Sequence, residues 1–213
     1  MTLAKENDLE APVLSYEDIR KRADAFLHEK HSERSIPVPI EEIVEFQFGI
    51  NIVPLPGLHK GFEIDGFTSS DMKSIFVDES FYGNIPKRYR FTLAHEIGHI
   101  VLHKNLYRKN NFKDIVEWKK FINSIPIQTH RWLEYQAYAF GGLVLVPSEH
   151  LQRLSDKYVK RIRKEGISLE DNWDFCWEYI AAQLAKDFDV SSQVIDKRLE
   201  KDGIKERYQT HKK

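Results

Sequence analysis

The most constraining feature of the sequence is the segment His95-Glu96-Ile97-Gly98-His99, which lies within a run of apolar residues at helical spacing. Residues four apart fall on nearly the same face of an α-helix, so His95 and His99 can direct two imidazoles at one point. Glu96 lies about 100° further round such a helix. Burying these three polar side chains in an apolar helix would be costly without a partner. The segment therefore predicts a helix that presents two metal-binding imidazoles, with a carboxylate beside them that contacts water instead of the metal.

The third ligand distinguishes the classes of metal site, because a catalytic zinc ion usually has three protein ligands and one open position. A histidine six residues after His99 is excluded, since that position is Asn105. His103 lies about 12 Å from His95 along a straight helix, which is too far for both imidazoles to bind one ion. We predict that His103 orients a ligand or has a structural role. A di-iron site is also excluded, because it needs a second Glu-x-x-His helix and the sequence has none.

The remaining possibility for the third ligand is a carboxylate on a later helix, and Glu134 is the best candidate. Ala137 and Gly141 follow it on the same helical face. Small residues there, facing Gly98 on the first helix, would allow the two helices to approach closely. Such a contact would let the Glu134 carboxylate reach the metal.

Glu117 and Glu149 are weaker alternatives, because no comparable small-residue face surrounds them. We therefore predict a Zn²⁺ site with one general base. The three predicted ligands are His95, His99 and Glu134, and the predicted base is Glu96.

Three short apolar segments before this helix predict strands over residues 50–53, 61–68 and 74–77. Their short connections favour a small antiparallel sheet. The rest of the chain has helical periodicity. Helices are predicted from Ser15, over 40–46, 89–103, 118–122, 129–146, 173–188 and 191–201, with a polar loop over 104–111. The expected fold class is α+β and mainly helical.

The composition favours a soluble globular protein. Charged residues make up 31% of the 213 residues and the formal net charge is -1, whereas nucleic-acid and membrane-surface binders need a surplus of basic residues. The single cysteine, Cys176, excludes an intrachain disulfide and suits a reducing compartment. The N-terminal residues have no apolar core, so we expect no signal peptide, and no apolar run approaches transmembrane length. We expect a cytoplasmic protein without a membrane or nucleic-acid partner.

The sequence resembles the ImmA/IrrE metallo-endopeptidases, which are gluzincin-like zinc peptidases. Residues 88–99 look like the family's active-site helix with its lead-in, and His103 is similar to its frequent trailing histidine. Residues 134–140, running on to Pro147, resemble the second helix that carries the third ligand. Tyr138 departs from the family pattern, which usually has asparagine there. The resemblance covers residues 16–204.

The resemblance implies an intracellular zinc endopeptidase with a zincin-like fold, a small three-stranded sheet and a C-terminal helical subdomain. The expected organisation is an N-terminal tail (1–14), a zinc metallopeptidase domain (15–155), a helical segment that could be helix-turn-helix-like (156–204) and a basic tail (205–213). Such proteins typically cut a helix-turn-helix repressor in a mobile element or stress response. We expect a separate repressor protein as the substrate, because no helix-turn-helix is evident at the N-terminal side.

The predicted mechanism makes Glu96 the base that takes a proton from water and returns it to the leaving amine. A donor to the oxyanion is also needed. The sequence leaves four candidates for it: Tyr138, His130, His103 and Arg88.

Two other functions remain open from the sequence. Residues 181–199 could form a DNA-binding helix-turn-helix, although the second helix carries Asp196 and Glu200 beside Lys197 and Arg198, a poor charge balance for reaching phosphates. Alternatively, the protein could bind zinc and regulate a partner without proteolysis.

Overall fold

The computed structural model describes residues 12–108, 110, 112 and 114–209, apart from the side chain of Arg108. Predictions for residues 1–11 and 210–213 lie outside these ranges. The strands are β1 (Asn51–Leu55), β2 (Gly66–Thr68) and β3 (Ser74–Asp78). The helices in the described ranges are α1 (Tyr16–Lys30), α2 (Ile40–Glu42, continued by a π-helical turn over Ile43–Gln47), α3 (Leu58–Phe62), α4 (Glu79–Asn84), α5 (Pro86–Arg108), α6 (Ile115–Ser124), α7 (Ile127–Leu145), α8 (Ser148–Lys164), α9 (Trp173–Asp187), α10 (Ser192–Lys201) and α11 (Glu206–Gln209). The α+β, mainly helical class is confirmed.

The sheet has β3 at its centre, in the order β1-β3-β2. Strand β2 pairs antiparallel with β3, with Phe67 opposite Phe76. Strand β1 pairs parallel with β3, with Ile52 opposite Ile75. The predicted antiparallel sheet is therefore wrong for this pair. Helix α3 is the reason, because it lies between β1 and β2 in the chain and carries the backbone past β3 to the opposite edge.

Helix α5 bends at His103, whose φ of -122° and ψ of 17° are not helical. The predicted helix end coincides with this bend. The chain nevertheless continues as a helix to Arg108, so the predicted loop from Lys104 is wrong for that stretch. Leu106 and Tyr107 explain the difference, because both are buried in a hydrophobic cluster with residues of α6. Apolar packing thus extends α5 beyond its polar-looking sequence.

The main hydrophobic core joins the helices to the inner face of the sheet. It contains buried residues of α1, α5, α7, α9 and α10, represented by Ile19, Leu93, Phe140, Trp177 and Leu199. Helix α8 contributes to this core from a stretch without a predicted element. This helix also spans residue 155, the predicted boundary between the peptidase domain and the C-terminal helical segment. The boundary stays a prediction.

Arg198 connects the C-terminal helices to the core. Its side chain is buried and its guanidinium pairs with Asp202 at 2.8 Å. It donates hydrogen bonds to the Val146 carbonyl at 3.1 and 3.2 Å and to Ser148 Oγ at 2.9 Å. These contacts fasten α10 to the junction of α7 and α8. No helix in the described part of the chain is long and apolar enough to cross a membrane.

Candidate metal centre

Helices α5 and α7 cross in close contact at small residues. A Cβ added to Gly98 would lie 3.0 Å from both the Cα and the carbonyl oxygen of Ala137. A Cβ added to Gly141 would lie 3.2 Å from the backbone nitrogen of His95. The close approach predicted from these small residues is therefore confirmed. It brings the side chain at position 134 to the face of α5 that carries the two histidines.

Three donor atoms meet at this crossing. His95 Nε2 and His99 Nε2 are 3.0 Å apart. Glu134 Oε2 lies 3.3 Å from His95 Nε2, and Glu134 Oε1 lies 3.4 Å from His99 Nε2. Ligands in a tetrahedral zinc site, with bonds of about 2.0 Å, are roughly 3.3 Å apart. The donor types and their spacing therefore fit a tetrahedral metal ion.

The charges of the same residues also suit a cation. Burial would raise the pKa of the Glu134 carboxyl, but hydrogen bonds and charges from His95 and His99 outweigh it and hold this pKa well below its usual range. Burial would likewise lower the pKa of His95, yet the hydrogen bond and charge of Glu134 raise it above its ordinary value. The carboxylate is thus ionised and stabilises positive charge between the two rings.

The other side of His99 is held by a hydrogen-bond chain. His99 Nδ1 lies 3.0 Å from His103 Nδ1, and His103 Nε2 lies 3.0 Å from Gln136 Oε1. Gln136 Nε2 donates to the Pro12 carbonyl at 2.7 Å, which assigns Oε1 as the acceptor that faces His103. His103 Nε2 must therefore donate, and its Nδ1 must accept from His99.

This chain sets the tautomer of His99. With its proton on Nδ1, His99 presents an unprotonated Nε2 to the donor cluster, which is the form that binds a metal. Burial, together with the neighbouring His99, lowers the pKa of His103 to about 3, so this imidazole stays neutral. The orienting role predicted for His103 agrees with these contacts.

Glu96 is held by a residue of the sheet. Thr68 Oγ1, on β2, donates to Glu96 Oε2 at 2.8 Å. Both side chains are buried. The hydrogen bond fixes one carboxylate oxygen and leaves Oε1 without this partner. Thr68 is not among the predicted site residues, because it lies 28 positions from Glu96 and only the fold brings them together.

The donor cluster opens onto a cleft between the sheet and α7. The cleft is also lined by Asp65 and Gly66 at the start of β2, and by Trp118 of α6. Tyr107 lines it from the last turns of α5. Burial, with Glu96 and Glu134 nearby, raises the pKa of the Tyr107 phenol well above its ordinary value.

Two of the four predicted oxyanion donors lie at this cleft. His130 lines it, with its Nε2 3.5 Å from Glu134 Oε1. Tyr138 lines it as well, with its ring centroid 4.8 Å from that of Phe91. Their positions keep both as candidates.

The other two predicted donors have different partners. His103 is buried in the hydrogen-bond chain to Gln136. Arg88 is bound to both carboxylate oxygens of Asp65, each at 2.7 Å, and its guanidinium lies over the ring of Phe81. Neither forms part of the cleft lining, so the prediction that they could serve as oxyanion donors is not supported.

The rival ligands lie elsewhere. Glu149 pairs with Arg34 at 3.5 Å on the surface of α8, and Glu117 belongs to α6. Within the described ranges, the one group of three histidine, cysteine or acidic residues spaced to hold a metal is His95, His99 and Glu134.

A helix with His-Glu-x-x-His, crossed by a second helix that supplies a carboxylate, is typical of metallopeptidases. Residues 46–200 match the family model described as the IrrE N-terminal-like domain, Peptidase M78. The match covers most of the chain, which therefore belongs to the ImmA/IrrE metallopeptidase family. The family resemblance of the sequence is confirmed.

Other comparisons are more distant. No curated protein matches the sequence significantly. Among solved structures, a Mycobacterium tuberculosis transcriptional regulator superposes with a TM-score of 0.53 and 15% sequence identity. The similarity covers 86% of this chain and 46% of that protein. The chain thus spans about half the length of the regulator, and at this identity the two share a fold.

Proposed function

We propose that this protein is a zinc-dependent endopeptidase of the cytoplasm that cleaves a helix-turn-helix transcriptional repressor, in a mobile-element or stress response. The observation that supports it most strongly is the triangle of donor atoms from His95, His99 and Glu134, whose edges of 3.0 to 3.4 Å match those of a tetrahedral zinc site. Catalysis needs a base next to this triangle, and Glu96 follows the first ligand directly.

In the proposed reaction, His95, His99 and Glu134 hold the zinc ion. Bound zinc supplies Lewis acidity, which polarises a peptide carbonyl and lowers the pKa of water. Glu96 Oε1 takes the proton of the attacking water, because Oε2 is occupied by the hydroxyl of Thr68. Glu96 then delivers this proton to the leaving amine nitrogen as the C–N bond breaks.

The cleft suits an extended polypeptide as substrate. Strand β2 begins with Gly66, which lines the cleft, and among the described residues β2 pairs only with β3. An edge strand offers free backbone N–H and C=O groups to a chain that lies alongside it. Backbone pairing would align a peptide bond next to Glu96 with little demand on the side chains of the substrate.

The proposal that the substrate is a repressor rests on the family and not on the geometry of the site. The ImmA/IrrE resemblance implies a regulatory substrate, and the same fold occurs in a protein named as a transcriptional regulator. The cytoplasmic location is supported by the single cysteine, since Cys176 is buried and unpaired, which suits a reducing compartment.

Direct DNA binding is the less favoured function. The turn between α9 and α10 resembles a helix-turn-helix in length, but Arg198 of α10 is buried against the Val146 carbonyl and Asp202. It is therefore unable to reach phosphates, and the exposed face of α10 still carries Asp196 and Glu200.

A zinc-bound adaptor that acts without proteolysis is the alternative, and one experiment separates it from a peptidase. The purified protein, loaded with one equivalent of zinc, is incubated with the helix-turn-helix proteins encoded beside its gene, with and without a chelator. We expect one defined cut, located by intact mass spectrometry, that the chelator abolishes. A stable complex with an intact repressor under both conditions would instead support the adaptor.

A further inference from the structure

Tyr107 occupies a position beside the metal centre that the motif does not explain. Its side chain is only 4% exposed. Its ring centroid lies 5.7 Å from that of His99 on one side, and 6.2 and 6.0 Å from those of Phe112 and Phe121 on the other. Held between these rings, the phenol has little freedom to move.

Tyr107 lines the cleft, and its hydroxyl has no hydrogen-bond partner in the part of the chain that the structure describes. The residue lines the same cleft as Glu96 and Glu134. Among the described residues, no side chain forms a hydrogen bond with its hydroxyl. Buried hydroxyls are nearly always satisfied by protein, water or ligand. This hydroxyl is therefore available to a group that enters the cleft.

We propose that the Tyr107 hydroxyl donates a hydrogen bond to the oxyanion that forms when water adds to the scissile carbonyl. The inference rests on the proposed peptidase function. Tyr107 keeps its own proton throughout, and the proton of the water goes to Glu96. With an ordinary pKa of about 10, a phenol is a neutral donor at physiological pH. Such donors act best when they are fixed in place and shielded from water, as this one is.

The two other candidates at the cleft suit this role less well. Tyr138 is 37% exposed, so its hydroxyl interacts with solvent before substrate arrives. His130 lies 3.5 Å from Glu134 Oε1, so its imidazole already has a carboxylate partner. Tyr107 combines burial with an unused donor.

Replacing Tyr107 with phenylalanine tests the proposal, because the ring packing is kept and only the hydroxyl is lost. With a quenched fluorescent peptide that the wild-type protein cleaves, we expect Tyr107→Phe to lower kcat by about 10²- to 10³-fold. KM and zinc affinity should stay within about twofold of wild type, since the proposed hydrogen bond forms only with the oxyanion. Tyr135→Phe, whose ring contacts that of Trp132 on the same helix, is the matched control and should cleave like wild type.

A kcat for Tyr107→Phe within about threefold of wild type would overturn the proposal. A large loss in Tyr138→Phe alone would overturn it too and assign the donor to Tyr138. Parallel loss of zinc from Tyr107→Phe would also contradict it, because the residue would then support the metal site and not the oxyanion.

A binding measurement keeps the test independent of turnover. A phosphoramidate dipeptide carries a tetrahedral anion that imitates the transition state. We expect the zinc-loaded Tyr107→Phe protein to bind it at least about tenfold more weakly than wild type does, by titration calorimetry. Equal binding by the two proteins would overturn the inference. If the wild-type protein cleaves no peptide or repressor, the proposed function fails, and this titration still decides the role of Tyr107.

Discussion

Gly98 of α5 lies directly against Ala137 of α7, so closely that a Cβ on Gly98 would lie 3.0 Å from the Ala137 Cα and carbonyl oxygen. The two residues stand one helical turn from His95 and Glu134, respectively. The distance between the helix axes at this point sets how far the Glu134 carboxylate reaches towards the histidines. The packing of two small residues therefore controls the geometry of the candidate metal centre.

Replacing Gly98 with alanine should separate α5 from α7. The added methyl group meets backbone atoms, which move only if the helices move, so we expect a loss of about 1 to 3 kcal/mol in the free energy of unfolding. Zinc affinity should fall as well, because the carboxylate is drawn away from the two imidazoles. Urea denaturation and zinc competition titration measure these effects.

Gly83→Ala is the matched control. Gly83 is also helical, in α4, but a Cβ there would have no atom within 4 Å. Alanine should stabilise this position by up to about 1 kcal/mol, through its higher helix propensity. Equal effects of the two substitutions would contradict the importance of the α5–α7 contact.

Removing the Glu134 carboxylate should weaken zinc binding, whereas removing that of Glu149 should leave zinc binding unchanged. We expect Glu134→Ala to lower zinc affinity by roughly 100-fold or more, because only two protein ligands remain. Glu149→Ala should bind zinc like wild type, since this carboxylate pairs with Arg34 on the surface. Metal content after dialysis against a weak chelator, measured by mass spectrometry, checks both variants. Retention of a full equivalent of zinc by Glu134→Ala would show that the third ligand is another residue.

Replacing His103 should affect the metal, although it is not a ligand. The His103→Leu variant loses the acceptor for the Nδ1 proton of His99 and leaves the Gln136 carbonyl oxygen without a donor. We expect zinc affinity to fall by about 10- to 100-fold. Competition with a fluorescent zinc chelator measures the change, and exposed His28 on α1 supplies the control variant His28→Leu. Affinity equal to that of the control would mean that the hydrogen-bond chain does not orient His99.

Arg198 should be important for stability. Arg198→Met removes one of the two cations of the buried Asp202 carboxylate and leaves Arg20, at 3.2 Å, as the other. We expect a loss of about 1 to 3 kcal/mol in the free energy of unfolding, because the Val146 carbonyl also loses its donor. Lys197→Met, an exposed neighbour on the same helix, should change it by less than about 0.5 kcal/mol. If the urea midpoints of the two variants coincide, the buried Arg198 guanidinium does not fasten α10 to the junction of α7 and α8.

The three donor residues of the candidate metal centre could be predicted from the sequence because helical spacing encodes their positions. The four-residue interval of His95 and His99 holds on any α-helix. Gly98, Ala137 and Gly141 mark the faces that meet, whatever the rest of the chain does. These local signals were sufficient to select Glu134 over two other carboxylates.

The residues that contact the donor residues and Glu96 could not be predicted from the sequence, because they depend on contacts between distant segments. Thr68 meets Glu96 across 28 positions, and Gln136 meets His103 across 33. Tyr107 lies in a stretch whose lysines and asparagines predict a loop, and only its burial against α6 keeps it helical. No local pattern identifies such partners.

The errors in the fold have similar causes. The parallel pairing of β1 with β3 follows from α3, which replaces the start of the second predicted strand. The missing prediction of helix α8 has a different cause. Its buried residues recur at helical spacing, namely Leu151, Leu154, Tyr158 and Ile162. That periodicity was a sufficient signal for a helix.

The central claim is that the His95, His99 and Glu134 cluster holds a zinc ion for peptide hydrolysis with Glu96 as base. The most direct measurement compares Glu96→Gln with the wild-type protein, for zinc content and for cleavage of a helix-turn-helix repressor that the wild-type protein cuts. The amide keeps the shape of the side chain and can still accept the Thr68 hydroxyl, but it cannot take a proton. We predict one equivalent of zinc in both proteins and a rate reduced by about 10²- to 10⁴-fold in the variant. Full cleavage by the zinc-loaded Glu96→Gln protein would contradict the claim.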